Sequence, residues 1–225
     1  IADDMLTSTI LACQCPVYFA PAMNDRMYVN SIVQENMEKL RRHGWHQIDP
    51  VSGHLACGTD GLGKMPDPKE LYQYVRRELA FPHDLAGMKV LVTAGATQEA
   101  IDPVRYITNH SSGRMGYAVA EAAMLRRAEV TLVSGQTALV PPPFVERVPV
   151  VSAEDMFREV TARAPGMDFV VKAAAVADYT PEETADHKIK KADGELSIRL
   201  RRTKDILAFL GEHKPAGQLL CGFSM

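Results

Sequence analysis

The sequence predicts an α/β fold: a Rossmann-like parallel sheet with helices on both faces. Short runs of apolar and β-branched residues alternate with amphipathic helical segments, and glycine- or proline-containing stretches separate them. The runs are apolar almost throughout, which is typical of strands that are buried on both faces of a parallel sheet. With 225 residues, 46% of them hydrophobic, the chain has enough apolar material for one large or two small domains.

A change in sequence character near residues 80–88 predicts a domain boundary. Pro82 and Gly87 bracket a polar stretch, and an apolar run follows directly from Lys89. Proline and glycine commonly mark the loops between structural elements. We therefore predict a first domain over residues 1–82, a linker over 83–88 and a second domain over 89–225.

Before the linker, the sequence predicts one strand and two helices. Residues 16–20 form a short apolar run that indicates a buried strand. Residues 32–43 predict a helix that ends before Gly44, and residues 69–79 predict another. The apolar stripe of the first helix has four members, Ile32, Val33, Met37 and Leu40.

After the linker, strands and helices alternate along the chain. Strands are predicted over residues 89–93, 130–133, 168–171, 196–200 and 219–223, and helices over 113–127, 152–164 and 205–213. Ser152 and Asp155 match a capping box at the start of the second of these helices. Ligands bind beyond the carboxyl ends of the strands in such sheets, which directs attention to residues 93–97, 172–178 and 223.

Composition and charge argue against several classes of protein. The net charge is −3, which does not favour nucleic-acid binding, and no apolar run is long enough to cross a bilayer. Four cysteines, at positions 13, 15, 57 and 221, match no zinc-ligand spacing and predict no disulfide framework. We interpret Cys13 and Cys15 as packing residues. We expect a cytoplasmic protein that binds neither nucleic acid nor membrane, and Ile1 predicts a start inside a longer gene product.

The segments after two predicted strands contain residues that suit a nucleotide. Residues 109–116 lead into a helix whose first N–H groups can bind a phosphate, although a capped helix entered by a tight turn explains the spacing slightly better. The alanines before Asp178 let a flat ligand lie against the backbone, and tight packing also explains them. A cationic run comprises Lys188, Lys190, Lys191, Arg199, Arg201 and Arg202. Such a run is usually a solvated face, but it can also hold a triphosphate.

The fingerprint of a nicotinamide-binding domain is missing. The first strand of the second domain continues into Thr93-Ala-Gly-Ala-Thr97 rather than G-x-G-x-x-G, and the second ends without an acidic residue. Tyr179 is followed four positions later by Glu183, whereas a short-chain-type reductase needs lysine there. A reductase is therefore disfavoured, and a non-catalytic binding fragment is the other alternative.

Four motifs in order resemble those of the bacterial phosphopantothenate–cysteine ligases. They are Thr93-Ala-Gly-Ala-Thr97, Asn109-His-Ser-Ser-Gly113-x-x-Gly116, Ala-Ala-Val-Ala-Asp178-Tyr and Lys188-Ile-Lys-Lys191. The resemblance covers roughly residues 85–225 and implies a step of coenzyme A biosynthesis. CTP activates 4'-phosphopantothenate as an acyl-cytidylate, with release of pyrophosphate, and the cysteine amine then displaces CMP. The resemblance also implies Mg²⁺ and a homodimer.

The resemblance assigns roles to individual residues of the second domain. Lys188 matches the lysine required to form the intermediate, and Asn109 matches the asparagine that holds it. The positions matched to CTP contacts are Lys172, Ala173, Ala174, Asp178, Lys188, Lys204, Asp205, Ile206, Leu207 and Phe223. Asp178 is also a candidate metal contact. Lys204 stands where the family usually has proline, and the family has further triphosphate-binding lysines beyond the position of Met225.

The first domain resembles the end of the flavoprotein phosphopantothenoylcysteine decarboxylase, which commonly precedes the ligase in one chain. The matching segments are Pro21-Ala-Met-Asn24 and the glycine-rich stretch 53–65, which alone would fit a mobile surface loop. The resemblance implies FMN as cofactor, Cys57 as the flap acid, and Asn24 with Met23 as substrate-binding residues. Gly61 and Gly63 would let the flap close.

The first domain also departs from the decarboxylase pattern. The family commonly has Asn-Pro where this chain has Asn30-Ser31. The catalytic histidine of the family and much of its flavin phosphate cradle lie upstream of the part that this chain matches. We therefore expect residues 1–82 alone not to decarboxylate.

Overall fold

The computed structural model describes residues 2–190 and 195–223. The chain divides into two compact units, residues 1–75 and 76–225. Residues 84–87 form a turn inside the second unit, and the linker over 83–88 stays a prediction. In the described residues, no helix combines the length and the apolar character needed to span a membrane.

The first unit is built from short helices and short strands. In chain order it contains α1 (Met5–Ala12), β1 (Tyr18–Phe19), α2 (Asp25–Tyr28), α3 (Ser31–Arg42), β2 (His46–Gln47), β3 (Val51–His54) and β4 (Asp60–Lys64), and α4 (Pro68–Leu79) follows. Strands β1 and β2 pair in parallel, while β3 and β4 form an antiparallel hairpin. Helices α3 and α4 confirm the two helices predicted before the linker. The hairpin occupies the glycine-rich stretch that was predicted as a flap.

Three details predicted for the first unit are wrong. The strand predicted over 16–20 has only two residues, both half-buried. Of the predicted apolar stripe of α3, Ile32 is wrong because it is 66% exposed, whereas Met37 is buried and Val33 and Leu40 are half-buried. Cys13 and Cys15 are both exposed free thiols rather than packing residues, since the helix ends at Cys13 and the chain leaves it extended.

The second unit contains the parallel sheet. Its elements are β5 (Lys89–Ala94), β6 (Gln98–Ala100), β7 (Tyr106–Thr108), α5 (Arg114–Leu125), β8 (Glu129–Ser134), β9 (Val145–Pro149), α6 (Ala153–Arg163), β10 (Phe169–Lys172), β11 (Tyr179–Pro181), β12 (Leu200–Arg202), α7 (Ile206–His213) and β13 (Leu219–Gly222). Five strands form one sheet in the order β13–β10–β5–β8–β9, and all neighbours are parallel. This order confirms the predicted Rossmann-like fold.

Helices cover both faces of this sheet. Val90 and Val92 of β5 pack in the cluster that contains α5, whereas Leu91 packs with Met156 of α6 and Leu210 of α7. Alternate residues of β5 therefore bury apolar side chains on opposite faces, which explains its almost continuous apolar sequence. The predicted capping box of Ser152 and Asp155 at the start of α6 is present.

Two parts of the second unit differ from the sequence prediction. Strand β9 was missed because Glu146 and Arg147 interrupt its apolar residues at the edge of the sheet. The strand predicted over 196–200 is wrong, since only Leu200–Arg202 is extended and paired, as β12 against β11. Leu196 and Leu200 alternate with polar residues in the sequence, but they are 58% and 43% exposed, so they do not face a core.

The strand order places a crevice at the carboxyl ends of β5 and β10. These two strands are adjacent in the sheet. The next sheet strand along the chain after β5 is β8, on one side of the pair, and the next after β10 is β13, on the other side. Such a switch point is where open α/β sheets bind their ligands. Helix α5 approaches this edge closely because residue 116 is glycine. A Cβ there would lie 2.5 Å from the Cβ of Ala94 and 2.6 Å from the carbonyl oxygen of Thr93.

Candidate functional site

Two buried threonines fasten the segment after β10 to the end of β5. The Thr93 hydroxyl oxygen accepts hydrogen bonds from the N–H groups of Ala173 and Ala174, each at 3.1 Å. The Thr97 hydroxyl accepts one from Ala177 at 3.0 Å. Both threonines are fully buried. The alanine-rich segment is therefore held against the sheet at three of its N–H groups. Sequence reasoning missed this role of the threonines, whose only signal was their place at a strand end.

Asn109 reaches the same segment from the other side of the crevice. Its side-chain amide donates to the Ala175 carbonyl oxygen at 3.2 Å. The preceding Thr108 hydroxyl donates to the carbonyl oxygen of Thr97 at 2.7 Å, which anchors the end of β7. Gly113, with φ of 76°, allows the turn into α5 to come close to Gly95. Asn109 and residues 173–177 thus share one edge of the sheet.

A cavity of about 350 Å³ opens beside this edge. Its lining comprises Lys172, Val176, Ala177, Asp178, Arg202, Thr203, Lys204 and Asp205. Thr203 fixes one wall, because its N–H donates to the Asp178 carbonyl at 2.9 Å and its hydroxyl donates to the Ala177 carbonyl at 2.6 Å. Four of the predicted CTP contacts, Lys172, Asp178, Lys204 and Asp205, therefore line a single cavity.

The charges around this cavity are partly committed to the protein. Asp205 caps helix α7 by accepting the Ala208 N–H at 3.0 Å. This hydrogen bond, assisted by the charges of Lys172 and Arg202, lowers the pKa of the Asp205 carboxyl. The Lys204 amine lies 2.7 Å from the Glu154 carboxylate and 4.8 Å from the centre of the Phe157 ring. Lys204 is thus directed toward α6.

Other predicted CTP contacts occupy different surroundings. Ala173 and Ala174 are half-buried. Ile206 is 1% exposed and belongs to the core under α6 and α7. The Leu207 side chain packs against Gly222, where a Cβ would come within 2.5 Å of it. Phe223 is half exposed, and its N–H donates to the Lys172 carbonyl at 3.1 Å.

Lys188 lies on an exposed segment that is anchored at the next residue. The N–H of Ile189 donates to the Asp102 carboxylate at 3.1 Å, and Arg105 donates to the Ile189 carbonyl at 3.1 Å. Asp102 and Arg105 themselves form an ion pair at 2.6 Å in the loop between β6 and β7. Lys188 is not among the residues that line the 350 Å³ cavity. Lys191, also in the predicted cationic run, lies outside the described residues.

A larger cavity of about 490 Å³ lies between residues 182–189 and 196–199. Among the described residues of its lining, two are carboxylates, Glu182 and Glu183, and one is a cation, Arg199. A local excess of negative charge disfavours a polyphosphate. The smaller cavity is therefore the better match for a nucleotide.

In the first unit, the structure brings Asn24 and Cys57 together. The Asn24 amide donates to the Cys57 sulfur at 3.0 Å, and the Thr59 hydroxyl lies 3.2 Å from the same sulfur. Hydrogen bonds from Thr59 and then Asn24 lower the pKa of the exposed Cys57 thiol, because they stabilise the thiolate. The Cys57 thiol is therefore more acidic than a cysteine thiol without these hydrogen bonds.

The hairpin that carries Cys57 lies close to Met23 and Asn24. Met23 donates its N–H to the Gly63 carbonyl at 2.9 Å. A Cβ at residue 63 would come 2.1 Å from the Met23 carbonyl, and the φ of 149° also favours glycine. Gly61 lies similarly close to Asp25. Glycine is therefore required where β4 meets the predicted substrate-binding segment.

Neither site resembles a protein-built metal centre. Within residues 2–190 and 195–223, no group of three or more His, Cys, Asp or Glu residues is arranged to hold a metal ion.

Comparison with known proteins agrees with the two-part organisation of the chain. The model of the DNA/pantothenate metabolism flavoprotein C-terminal domain matches residues 85–225, and the Flavoprotein model matches residues 1–80. The chain is 47% identical over 227 residues to the coenzyme A biosynthesis bifunctional protein CoaBC of Bacillus subtilis strain 168, covering 100% of this chain and 56% of that protein. It is 43% identical over 224 residues to CoaBC of Haemophilus influenzae, with the same coverage of 100% and 56%.

A solved structure gives the same picture for the second unit. The crystal structure of the C-terminal domain of a CoaBC protein is 51% identical, covers 60% of this chain and 63% of that one, and superposes with a TM-score of 0.53. The chain spans a little over half the length of the curated relatives it matches. With a family model covering most of its length and the sheet order described above, the chain belongs to the DNA/pantothenate metabolism flavoprotein family.

Proposed function

We propose that the second unit acts in coenzyme A biosynthesis, as the CTP-dependent ligase that joins 4'-phosphopantothenate to cysteine. The observation that carries the proposal is the cavity at the end of β10, with Lys172, Asp178 and Asp205 in its lining. Asn109 is hydrogen-bonded to the segment that forms its edge. The CoaBC proteins of Bacillus subtilis and Haemophilus influenzae are named as bifunctional proteins of coenzyme A biosynthesis.

The first chemical step needs positive charge. The pantothenate carboxylate attacks the α-phosphorus of CTP, a P–O bond forms, and the bond to pyrophosphate breaks. Both reactants are anions, so the barrier falls when cations neutralise the charge that they bring together. We assign this role to Lys172, at the cavity, and to Lys188, whose segment is anchored against the loop that precedes Asn109.

The second step needs a held acyl group. The cysteine amine attacks the acyl carbon, a C–N bond forms, the C–O bond to CMP breaks, and the amine loses a proton. Asn109 is suited to holding the intermediate, since an amide donates and accepts hydrogen bonds without adding charge. Its position is fixed by the Ala175 carbonyl.

Mg²⁺ belongs to this proposal, with Asp178 as its candidate protein ligand. Mg²⁺ is usually bound by one or two carboxylates together with substrate phosphates. The Asp178 side chain is exposed at the cavity, so it fits such a site. When bound, the ion supplies further neutralisation of the triphosphate.

For the first unit, we propose participation in the FMN-dependent decarboxylation of 4'-phosphopantothenoylcysteine by the full-length protein. FMN supplies a two-electron acceptor when bound. Asn24 and Met23 would bind the substrate, and Cys57 would donate a proton to the decarboxylated product. The close fit of Gly63 on the Met23 carbonyl supports a hairpin that closes over this segment.

The proposal includes a cytoplasmic protein that self-associates through its ligase part. Both rest on the family resemblance. Analytical ultracentrifugation of the full-length gene product tests the self-association. A dimer or a larger assembly is expected, and a monomer at micromolar concentration contradicts it.

The activity is tested by supplying the substrates in combinations. The full-length product is incubated with CTP, Mg²⁺, 4'-phosphopantothenate and cysteine, and pyrophosphate is measured. We expect release that requires CTP and 4'-phosphopantothenate. Oxidation of NADH without any effect of CTP would support a reductase instead, and a folded protein with neither activity would support a binding module.

A further inference from the structure

We propose that Arg202 is a phosphate-binding residue of the nucleotide cavity and supplies the positive charge that lets the cavity accept a polyphosphate. This inference rests on the proposed nucleotide site but concerns a residue outside the set that the resemblance assigned to CTP. It was noticed in the sequence only as one member of a cationic run.

The position of Arg202 is set by one strand pairing and by two hydrogen bonds of the next residue. Arg202 pairs with Tyr179 in the antiparallel ladder of β11 and β12. The next residue, Thr203, donates to the carbonyl oxygens of Asp178 and Ala177. The end of β12 is therefore fixed against the segment that leaves β10. Arg202 lines the cavity, whereas its neighbour Arg201 does not.

The charge balance of the cavity depends on this arginine. Three cations, Lys172, Arg202 and Lys204, line the cavity with two carboxylates, Asp178 and Asp205. The Lys204 amine is already bonded to Glu154. Without Lys204, Lys172 alone would leave the described lining with an excess of carboxylate, and Arg202 brings that lining to neutrality.

Arg202 and Lys172 line the same cavity as Asp205. The pKa of Asp205 is lowered first by the Ala208 N–H and in smaller part by Lys172 and Arg202. Both cations therefore act on the same carboxylate, which is already engaged in capping α7. An incoming phosphate would meet both cations at the lining of one cavity.

Arginine is well suited to this task. Its planar guanidinium presents several N–H donors and binds two phosphate oxygens at once, and its charge persists at every physiological pH. Within the described residues, no ion pair at 4.0 Å or less joins Arg202 to a carboxylate. The guanidinium is available to a ligand.

Neighbouring arginines provide a matched test. Arg202→Gln and Arg201→Gln each remove one exposed charge from β12, but only the first removes it from the cavity. Binding of CTP and of inorganic tripolyphosphate is measured by calorimetry on the full-length product, with thermal melting to check the fold. We expect Arg202→Gln to weaken both ligands about tenfold or more and Arg201→Gln to change affinity less than about twofold. Arg202→Lys should restore part of the loss.

The outcomes separate this inference from the proposed function. Equal affinities for the Arg202→Gln and Arg201→Gln proteins, with normal CTP binding by the wild type, overturn the role of Arg202 and leave the ligase proposal intact. A wild-type protein that binds neither CTP nor tripolyphosphate overturns both. Tripolyphosphate binding that depends on Arg202, without CTP binding, supports the phosphate role and contradicts the nucleotide assignment.

Discussion

The side-chain amide of Asn24 donates a hydrogen bond to the sulfur of Cys57 across 3.0 Å, although 33 positions separate the two residues. The hairpin β3–β4 makes this contact possible by folding its tip back onto the segment before α2. The thiol is thus hydrogen-bonded to a residue that is proposed to bind the substrate. A proton donor next to a substrate-binding residue suits the proposed protonation of the decarboxylated product.

Thr59 should control the acidity of Cys57. Its hydroxyl is the largest cause of the lowered pKa, so Thr59→Val is expected to raise the thiol pKa by removing a hydrogen bond to the thiolate. The pH dependence of iodoacetamide labelling, followed by mass spectrometry of the peptide that contains Cys57, measures this shift. The inflection should move to higher pH.

Thr59→Ser is the control for this experiment, because serine retains the hydroxyl. Its labelling curve should stay near that of the wild type. The charged neighbours of the hairpin, Asp25, His54 and Asp60, are unchanged in both variants. Identical inflections for the valine and serine variants would show that the Thr59 hydroxyl does not act on the thiol.

Thr93→Val should loosen the alanine-rich segment. Valine keeps the shape of threonine but leaves the N–H groups of Ala173 and Ala174 without their acceptor. We expect faster amide hydrogen exchange at these two residues, a higher KM for CTP, and a loss of about 1–3 kcal/mol in the free energy of unfolding.

Thr131→Val is a matched control on the neighbouring strand. Thr131 is also buried, but its hydroxyl donates only one long hydrogen bond, 3.3 Å, to Glu146. The Thr131→Val change should leave amide hydrogen exchange at Ala173 and the KM for CTP unchanged. Slow exchange at Ala173 and Ala174 in the Thr93→Val protein would contradict the clamp.

Asp102 should stabilise the second unit in a pH-dependent manner. Its side chain is fully buried and bonded to Arg105 and to three backbone N–H groups, with the Arg105 bond first in lowering its pKa. Because the folded pKa lies below the unfolded value of about 3.9, the stabilisation is present above that value and is lost as pH falls through the folded pKa. Asp102→Asn should therefore lower stability at pH 7, with the difference shrinking below about pH 4.

Asp84→Asn is the comparison for Asp102. Asp84 pairs with Arg126, but both side chains are about half exposed, at 49% and 45%. Solvent-exposed pairs contribute little, so this change should have a much smaller effect in urea unfolding at pH 7. Equal losses of stability in the two variants would show that the buried Asp102 contributes no more than an exposed ion pair.

The main architecture could be predicted from the sequence because the apolar runs of the second unit coincide with its strands. Leu91 and Val92 point to opposite helix layers, so burial on both faces left a direct signature. Segments whose strands depend on edge contacts gave no such signature. Glu146 and Arg147 interrupt the apolar residues of β9, so the sequence did not predict this strand. Leu196 and Leu200 were predicted to lie on a strand, but both are exposed to solvent.

The candidate site was only partly predictable, for a related reason. Asn24 and Cys57 were identified from motifs, and the fold brings them into contact. The hydrogen bonds of Thr93 and Thr97 cross from one strand end to another, and no spacing along the chain shows such a relation. Arg201 and Arg202 look alike in the sequence. Only the structure shows that Arg202 lines the cavity and that its neighbour on β12 does not.

The most direct test of the ligase proposal is pyrophosphate release in the absence of cysteine. With CTP, Mg²⁺ and 4'-phosphopantothenate, only the first step can occur, so the full-length product should release about one equivalent per active site. Lys188→Gln should abolish this release, whereas Lys190→Gln, an exposed neighbour on the same segment, should retain it. Equal release by the two variants would contradict the role of Lys188, and release independent of 4'-phosphopantothenate would contradict the acyl-cytidylate route.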